Sequence, residues 1–187
     1  MPETMREDFA MNVIQVFSTI VLVLAVGIVG AETPTHEPYS GSPEFERIKQ
    51  LAGSWRGKST MQGKLQDITI TYEVTSAGSA VVAKHFPGTP YEMVSVFHDN
   101  GGKLSMTHYC ALKNQPILGL KNATEKLIEL EYTTGINIDQ DKDTHMRSLS
   151  ITFVGENHIL EEWSMYKEGK QVKRSPIKLT KVSEEVN

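Results

Sequence analysis

The sequence is short of cysteine, of net positive charge and of catalytic signatures, and each shortage excludes something. Cys110 is the only cysteine in 187 residues, so no intramolecular disulfide, CxxC pair or cysteine metal cage can form. A domain of about 150 residues buries enough core to hold together without a disulfide, even outside the cytoplasm. The formal net charge is −4, half of it carried by Glu3, Glu7 and Asp8 against Arg6. A chain of that balance has no field to gather nucleic acid or anionic lipid. Gly-rich phosphate loops, HExxH, GxSxG and paired-Asp motifs are all missing. The six histidines, at 36, 85, 98, 108, 145 and 158, show no close metal-ligand spacing. The expectation is therefore no cofactor and no metal.

What is present begins with a long apolar run. No charged residue occurs from Phe9 to Ala31, and Val29-Gly30-Ala31 offers the small residues a signal peptidase cuts after. Its 23 residues are also long enough to span a bilayer. Residues 1–31 are expected to be a signal peptide, with a retained N-terminal membrane anchor as the alternative. Arg6 stands among three acids, which departs from the basic start of most leaders. Residues 32–41, rich in Pro, Thr and Glu, read as a flexible linker, and residues 42–183 as one domain. The expected localisation is periplasmic or secreted. Asn122-Ala123-Thr124 matches a glycosylation sequon, which matters only in a eukaryotic secretory route.

The domain opens with a helix signal. Ser42 is a capping residue, Pro43 suits the first helical position, and Glu44 and Glu46 favour the positive end of the helix dipole. Phe45, Ile48 and Leu51 follow at helical spacing, predicting a helix over 43–52. The period then falls to two. Strands are predicted at 54–61, 68–74, 80–86, 91–98, 103–111, 117–121, 126–132, 147–153, 159–166 and 171–179, with a polar loop at 135–144. About ten short strands, closely spaced and joined by tight turns, predict an all-β fold: a single up-and-down antiparallel barrel behind a short capping helix.

The segment Leu51-Ala52-Gly53-Ser54-Trp55-Arg56-Gly57 resembles the Gly-x-Trp signature that opens the barrel in the calycin superfamily. That group includes lipocalins, fatty-acid-binding proteins and nitrobindins, along with uncharacterised bacterial families, and the resemblance runs from Glu44 to Lys181. It implies that Gly53, Trp55 and Gly57 are structural, with Trp55 closing one barrel end against a basic residue of the last strand, Arg174 or Lys181. It also implies a cavity for a small hydrophobic molecule. Its nitrobindin branch implies haem on a histidine late in the chain. His145 and His158 are late here, but neither sits in a matching motif.

The Asn100-Gly101 turn sets a register. With Asp99 opposite Gly102, Phe97 faces Leu104, Ser95 faces Met106, Met93 faces His108 and Tyr91 faces Cys110. That face is mostly apolar and should point inward, while Glu92, His98, Lys103, Ser105, Thr107 and Tyr109 point out. Pairing Phe86 with Tyr91 across Pro87-Gly88 would bring Lys84 to the inner face beside Met93. Glu161 is read as a rim residue. The expected cavity residues are thus Lys84, Tyr91, Met93, Phe97, Met106, His108, Cys110 and Glu161. Three readings follow. The first is an exported binder or carrier of a small hydrophobic molecule. The second is a barrel-mouth hydrolase or isomerase using His108 with Lys84 or Glu161. The third is a nitrobindin-like haem binder.

Overall fold

Strand after strand, the alternation of apolar and polar residues closes a sheet on itself. In the computed structural model, which describes residues 37–61 and 63–183, helix α1 (Pro43–Lys49) precedes ten strands. These are β1 (Gly53–Met61), β2 (Lys64–Thr75), β3 (Ala80–His85), β4 (Met93–Asn100), β5 (Lys103–Tyr109), β6 (Gln115–Thr124), β7 (Leu127–Ile136), β8 (His145–Gly155), β9 (His158–Lys167) and β10 (Lys170–Lys181). Each pairs antiparallel with its sequence neighbour, and β10 returns to β1, giving a closed up-and-down barrel. The expected leader, and most of the expected linker, lie outside the described residues. Of the segment read as linker, Tyr39 to Gly41 are fastened down. The Tyr39 N–H donates to the Ala77 carbonyl, its hydroxyl donates to Asp99, and the Gly41 N–H donates to Glu46.

Strand direction gives the barrel two different ends. One end carries the turns after β2, β4, β6 and β8, and α1 covers it. The Ser42 side chain accepts from the Phe45 N–H, and Asp99 accepts from both the Ser42 N–H and its hydroxyl. Arg47 donates to the carbonyls of Thr124 and Glu125, tying the helix to the far side of that end. Phe45, Ile48 and Leu51 are buried against the barrel core of Ile70, Phe97, Leu104, Met106, Leu118, Ile128, Leu130, Leu149 and Ile151. Trp55 sits at this closed end. Its indole N–H donates to the Leu51 carbonyl at 2.7 Å, and Lys181 Nζ lies 5.6 Å from the ring centroid. Lys181, not Arg174, is the basic partner; Arg174 pairs with Glu162 on the outer surface. Gly57 has a steric reason: a Cβ there would stand 2.2 Å from the Lys178 carbonyl, across the β1–β10 contact that closes the barrel.

The hairpin register differs from the expected one by two residues. Asn100 pairs with Lys103, so Gly101 and Gly102 form the loop, with φ of 59° and 77°. Those left-handed angles at both loop positions favour glycine, and they match the twist of the flanking strands. Phe97 therefore opposes Met106, and Ser95 opposes His108. A shift of two leaves every side chain on its own face, so Phe97, Met106 and His108 are inward and buried as expected. Ser105 departs from the outward expectation: it is buried, its hydroxyl donating to the Leu118 carbonyl.

Candidate functional site

The barrel's other end is not packed shut. A cavity of about 150 Å³ opens there, lined by Ser59, Thr60, His85, Phe86, Met93, His108, Met146, Trp163, Lys173, Ser175 and Ile177. Beneath it lies a layer of buried polar side chains on neighbouring strands. Ser95 on β4 is fully buried, with its hydroxyl 2.9 Å from His108 Nδ1 on β5 and 3.3 Å from His85 Nε2 on β3. One hydroxyl holds one proton, so Ser95 donates to one ring and accepts from the other. Trp163 on β9 packs on both, its ring centroid 4.8 Å from that of His108 and 5.5 Å from that of His85.

Glu161, two residues before Trp163, is fully buried inside the barrel and not at the rim. Its carboxylate accepts from the Tyr72 hydroxyl and, at 3.1 Å, from the Trp163 indole N–H. Those two donors make burying it tolerable. Burial, with Glu161 beside it, raises the Tyr72 hydroxyl well above its ordinary range and keeps it a donor.

Burial also controls the histidines. His108 is 1% exposed and pushed down to about 3, chiefly by desolvation and further by His85. His85 is lowered by burial, with Glu161 opposing the shift. Both rings are therefore neutral near pH 7. His108 has Nδ1 on Ser95, but Nε2 is buried with no hydrogen-bond partner among the described residues. A neutral imidazole in that setting presents either one lone pair or one N–H to whatever enters, depending on which way the Ser95 proton points.

Of the eight expected cavity residues, six do not line this cavity, and two of those six, Lys84 and Tyr91, do not face the barrel interior. Lys84 pairs with Thr71 and Val94 and points outward to solvent, while His85 takes the inward place. The cause is loop length: His85 opposes Met93, so the connection runs through seven residues, Phe86 to Glu92. The expected pairing placed Lys84 opposite Met93. A one-residue error inverts the face of β3. Tyr91 falls in that loop and is 49% exposed. Met93 and His108 line the cavity. Phe97 and Met106 belong to the packed core, and Cys110 is buried just beyond β5, its thiol pushed up by burial. Ser95 and Trp163 could be read as inward from their strands' alternation. Met146, Lys173 and Ser175 could not, because strand alternation does not say which interior positions stay unfilled.

The late histidines do not serve this cavity. His145 is buried against Tyr132, with ring centroids 5.0 Å apart and Nδ1 3.0 Å from the Asp143 carbonyl. His158 is exposed at the opposite, helix-covered end. A haem is several times larger than a 150 Å³ space, so these residues and this cavity do not fit one. Among the described residues, no group of three or more His, Cys, Asp or Glu is placed to hold a metal ion.

A closed ten-strand antiparallel barrel with one helix over its end is the class of protein these features define. Two solved structures are similar to this chain in fold. A protein of unknown function from the DUF3598 family of Nostoc punctiforme aligns over 72% of this chain at 13% identity, with a TM-score of 0.51. The chain spans about half of that protein, 49% of its length. Rv2717c from M. tuberculosis aligns over 77% of this chain and 100% of its own, at 11% identity with a TM-score of 0.53. At these identities the likeness is one of fold alone. No family model and no curated protein matches the sequence.

Proposed function

We propose that this domain is a small-molecule binder of the calycin type, acting outside the cytoplasm, that holds a compact and largely apolar ligand in the open end of the barrel. The observation that carries the reading is His108 Nε2: a polar atom buried without a partner among the described residues, on a residue that lines an otherwise mostly apolar cavity. Buried polar atoms are almost always satisfied, and an exception at a cavity wall is where a ligand's polar group or an ordered water belongs. The volume sets the size, because a cavity near 150 Å³ takes a molecule about as large as benzene. Gly53-Ser54-Trp55 at the start of the barrel supports the calycin placement, and the charge-free run from Phe9 to Ala31 supports export.

The acid–base alternative loses its proposed partners. Lys84 is on the outside of the sheet, and the Glu161 carboxylate is engaged by Tyr72 and Trp163. The test is native mass spectrometry of the purified protein, followed by titration with the co-purified compound. His108→Leu should weaken binding about tenfold, the equivalent of one hydrogen bond of roughly 1.4 kcal/mol. Unchanged binding with a large loss of stability would make His108 a core residue and end this reading.

A further inference from the structure

We propose that the ligand is a small monoanion, a compact aromatic or branched carboxylate, which enters sideways between β1 and β10 with its charge held by Lys173. This rests on the cavity being a binding site. The seam is visible in the register. β1 and β10 pair from Trp55↔Lys181 to Lys58↔Lys178, and beyond that pair no register between them continues among the described residues. Pro176, which has no N–H to give to a ladder, lies in the stretch of β10 past that point.

A surface recess of about 460 Å³ occupies the outside of this gap, and it shares Ser59, Thr60, Lys173 and Ser175 with the inner cavity. The same four residues therefore bound both the approach and the interior. Alternation along β10 places Lys173 on the face of Ser175 and Ile177, at the end nearest solvent. Its ammonium has no hydrogen-bond or ion-pair partner among the described residues. Among the described residues no Asp or Glu lines either space, whereas Arg174, the next residue, is already paired with Glu162 on the outer surface. With His85 and His108 neutral, Lys173 carries the only formal charge among the described residues that line the cavity; the Glu161 carboxylate does not line it and is engaged by Tyr72 and Trp163. An apolar body would sit against Trp163, Phe86 and Met93. A carboxylate on it would remain at the half-wet entrance, where Lys173 can meet it without full desolvation.

Fluorine NMR titrations of the purified protein with 4-fluorobenzoate and with uncharged 4-fluorobenzyl alcohol test this. Benzoate should bind more tightly than the alcohol, and added salt should narrow the gap. Lys173→Met should weaken benzoate by about three- to five-fold, the range of a solvent-exposed ion pair, and leave the alcohol unchanged. Lys173→Arg should retain the preference, and Arg174→Gln should not alter it. If the alcohol binds but benzoate gains nothing from Lys173, the anion inference is wrong and the cavity reading stands. If neither probe binds the unaltered protein, both fall together.

Discussion

Acidification between pH 7.5 and 5 should destabilise this barrel before its carboxylates begin to protonate. His108 has an ordinary value of 6.5 when unfolded and about 3 when folded, because burial beside His85 penalises the charged ring. A group whose folded value is depressed contributes stability above its unfolded value, and that stability is lost as pH falls. In the unfolded chain His108 takes up a proton below 6.5; in the barrel it stays neutral until about 3. Linkage then gives a loss of about 2 kcal/mol from His108 alone between pH 7.5 and 5, and about 4–5 kcal/mol by pH 3. His85 is shifted in the same direction and adds to the loss. The assay is urea unfolding at half-unit intervals from pH 7.5 to 5, followed by tryptophan fluorescence. His108→Gln, which cannot titrate, should be about 2 kcal/mol less pH-dependent over that window. Proton NMR of the ring gives a second readout, in which the His108 C–H signals should not move above pH 5. A His108 resonance titrating near 6.5, or a variant with a pH slope equal to that of the parent, would refute the burial argument.

Tyr72→Phe removes one of two donors from a fully buried carboxylate and should cost ~2 kcal/mol, lowering the melting temperature by about 4–8 °C; a change below 1 °C would mean Glu161 does not depend on it. Trp55→Ala should cost ~3–5 kcal/mol through the void it leaves at the closed end, whereas Lys181→Met, which removes only the cation over the ring, should cost ~0.5–1 kcal/mol, both read by urea unfolding. Expression in a secreting host and N-terminal sequencing of the exported protein should start at Glu32. An intact Met1 or Met11 terminus would identify a retained anchor instead.

How far the sequence specifies the barrel depends on what fixes each strand's parity. On β4 and β5 the two-residue glycine loop does so. An error of two in register was harmless there, because alternation has period two. On β3 nothing local counts the residues of the Phe86–Glu92 connection, so the assignment turned on a loop length that Pro87-Gly88 does not settle. The result was Lys84 in place of His85. Desolvation separates the two faces: turning Lys84 inward buries a lysine with no carboxylate beside it in the sequence pattern, and His85 is the cheaper residue to bury. Glu161 was harder. A carboxylate in an interior position conflicts with its intrinsic preference, and its partner Tyr72 lies 89 residues earlier, across the barrel. Trp163, by contrast, is two residues away on the same face, and its indole N–H was a visible candidate donor.

The two barrel ends are built to different standards, and the difference supports placing the proposed site at the open one. At the end under α1, apolar side chains fill the space, and the Trp55 indole, the Asp99 carboxylate and the Arg47 guanidinium each meet a partner. At the other end, the β1–β10 pairing stops at Lys58↔Lys178 among the described residues, and a cavity of about 150 Å³ opens. The buried side-chain atoms without a partner among the described residues are His108 Nε2, Asn114 Oδ1 and His145 Nε2, and all three belong to residues at this open end. Each leaves a cost of about 1–3 kcal/mol if nothing meets it. A fold that satisfies its polar groups so fully at one end has no general difficulty in doing so. Unsatisfied atoms, a cavity and an interrupted seam gather at one end, the pattern expected where local rules give way to a function, and this is the end to which we assign the proposed binding. Of the three atoms, only that of His108 belongs to a residue lining the cavity, where an entering ligand can reach it.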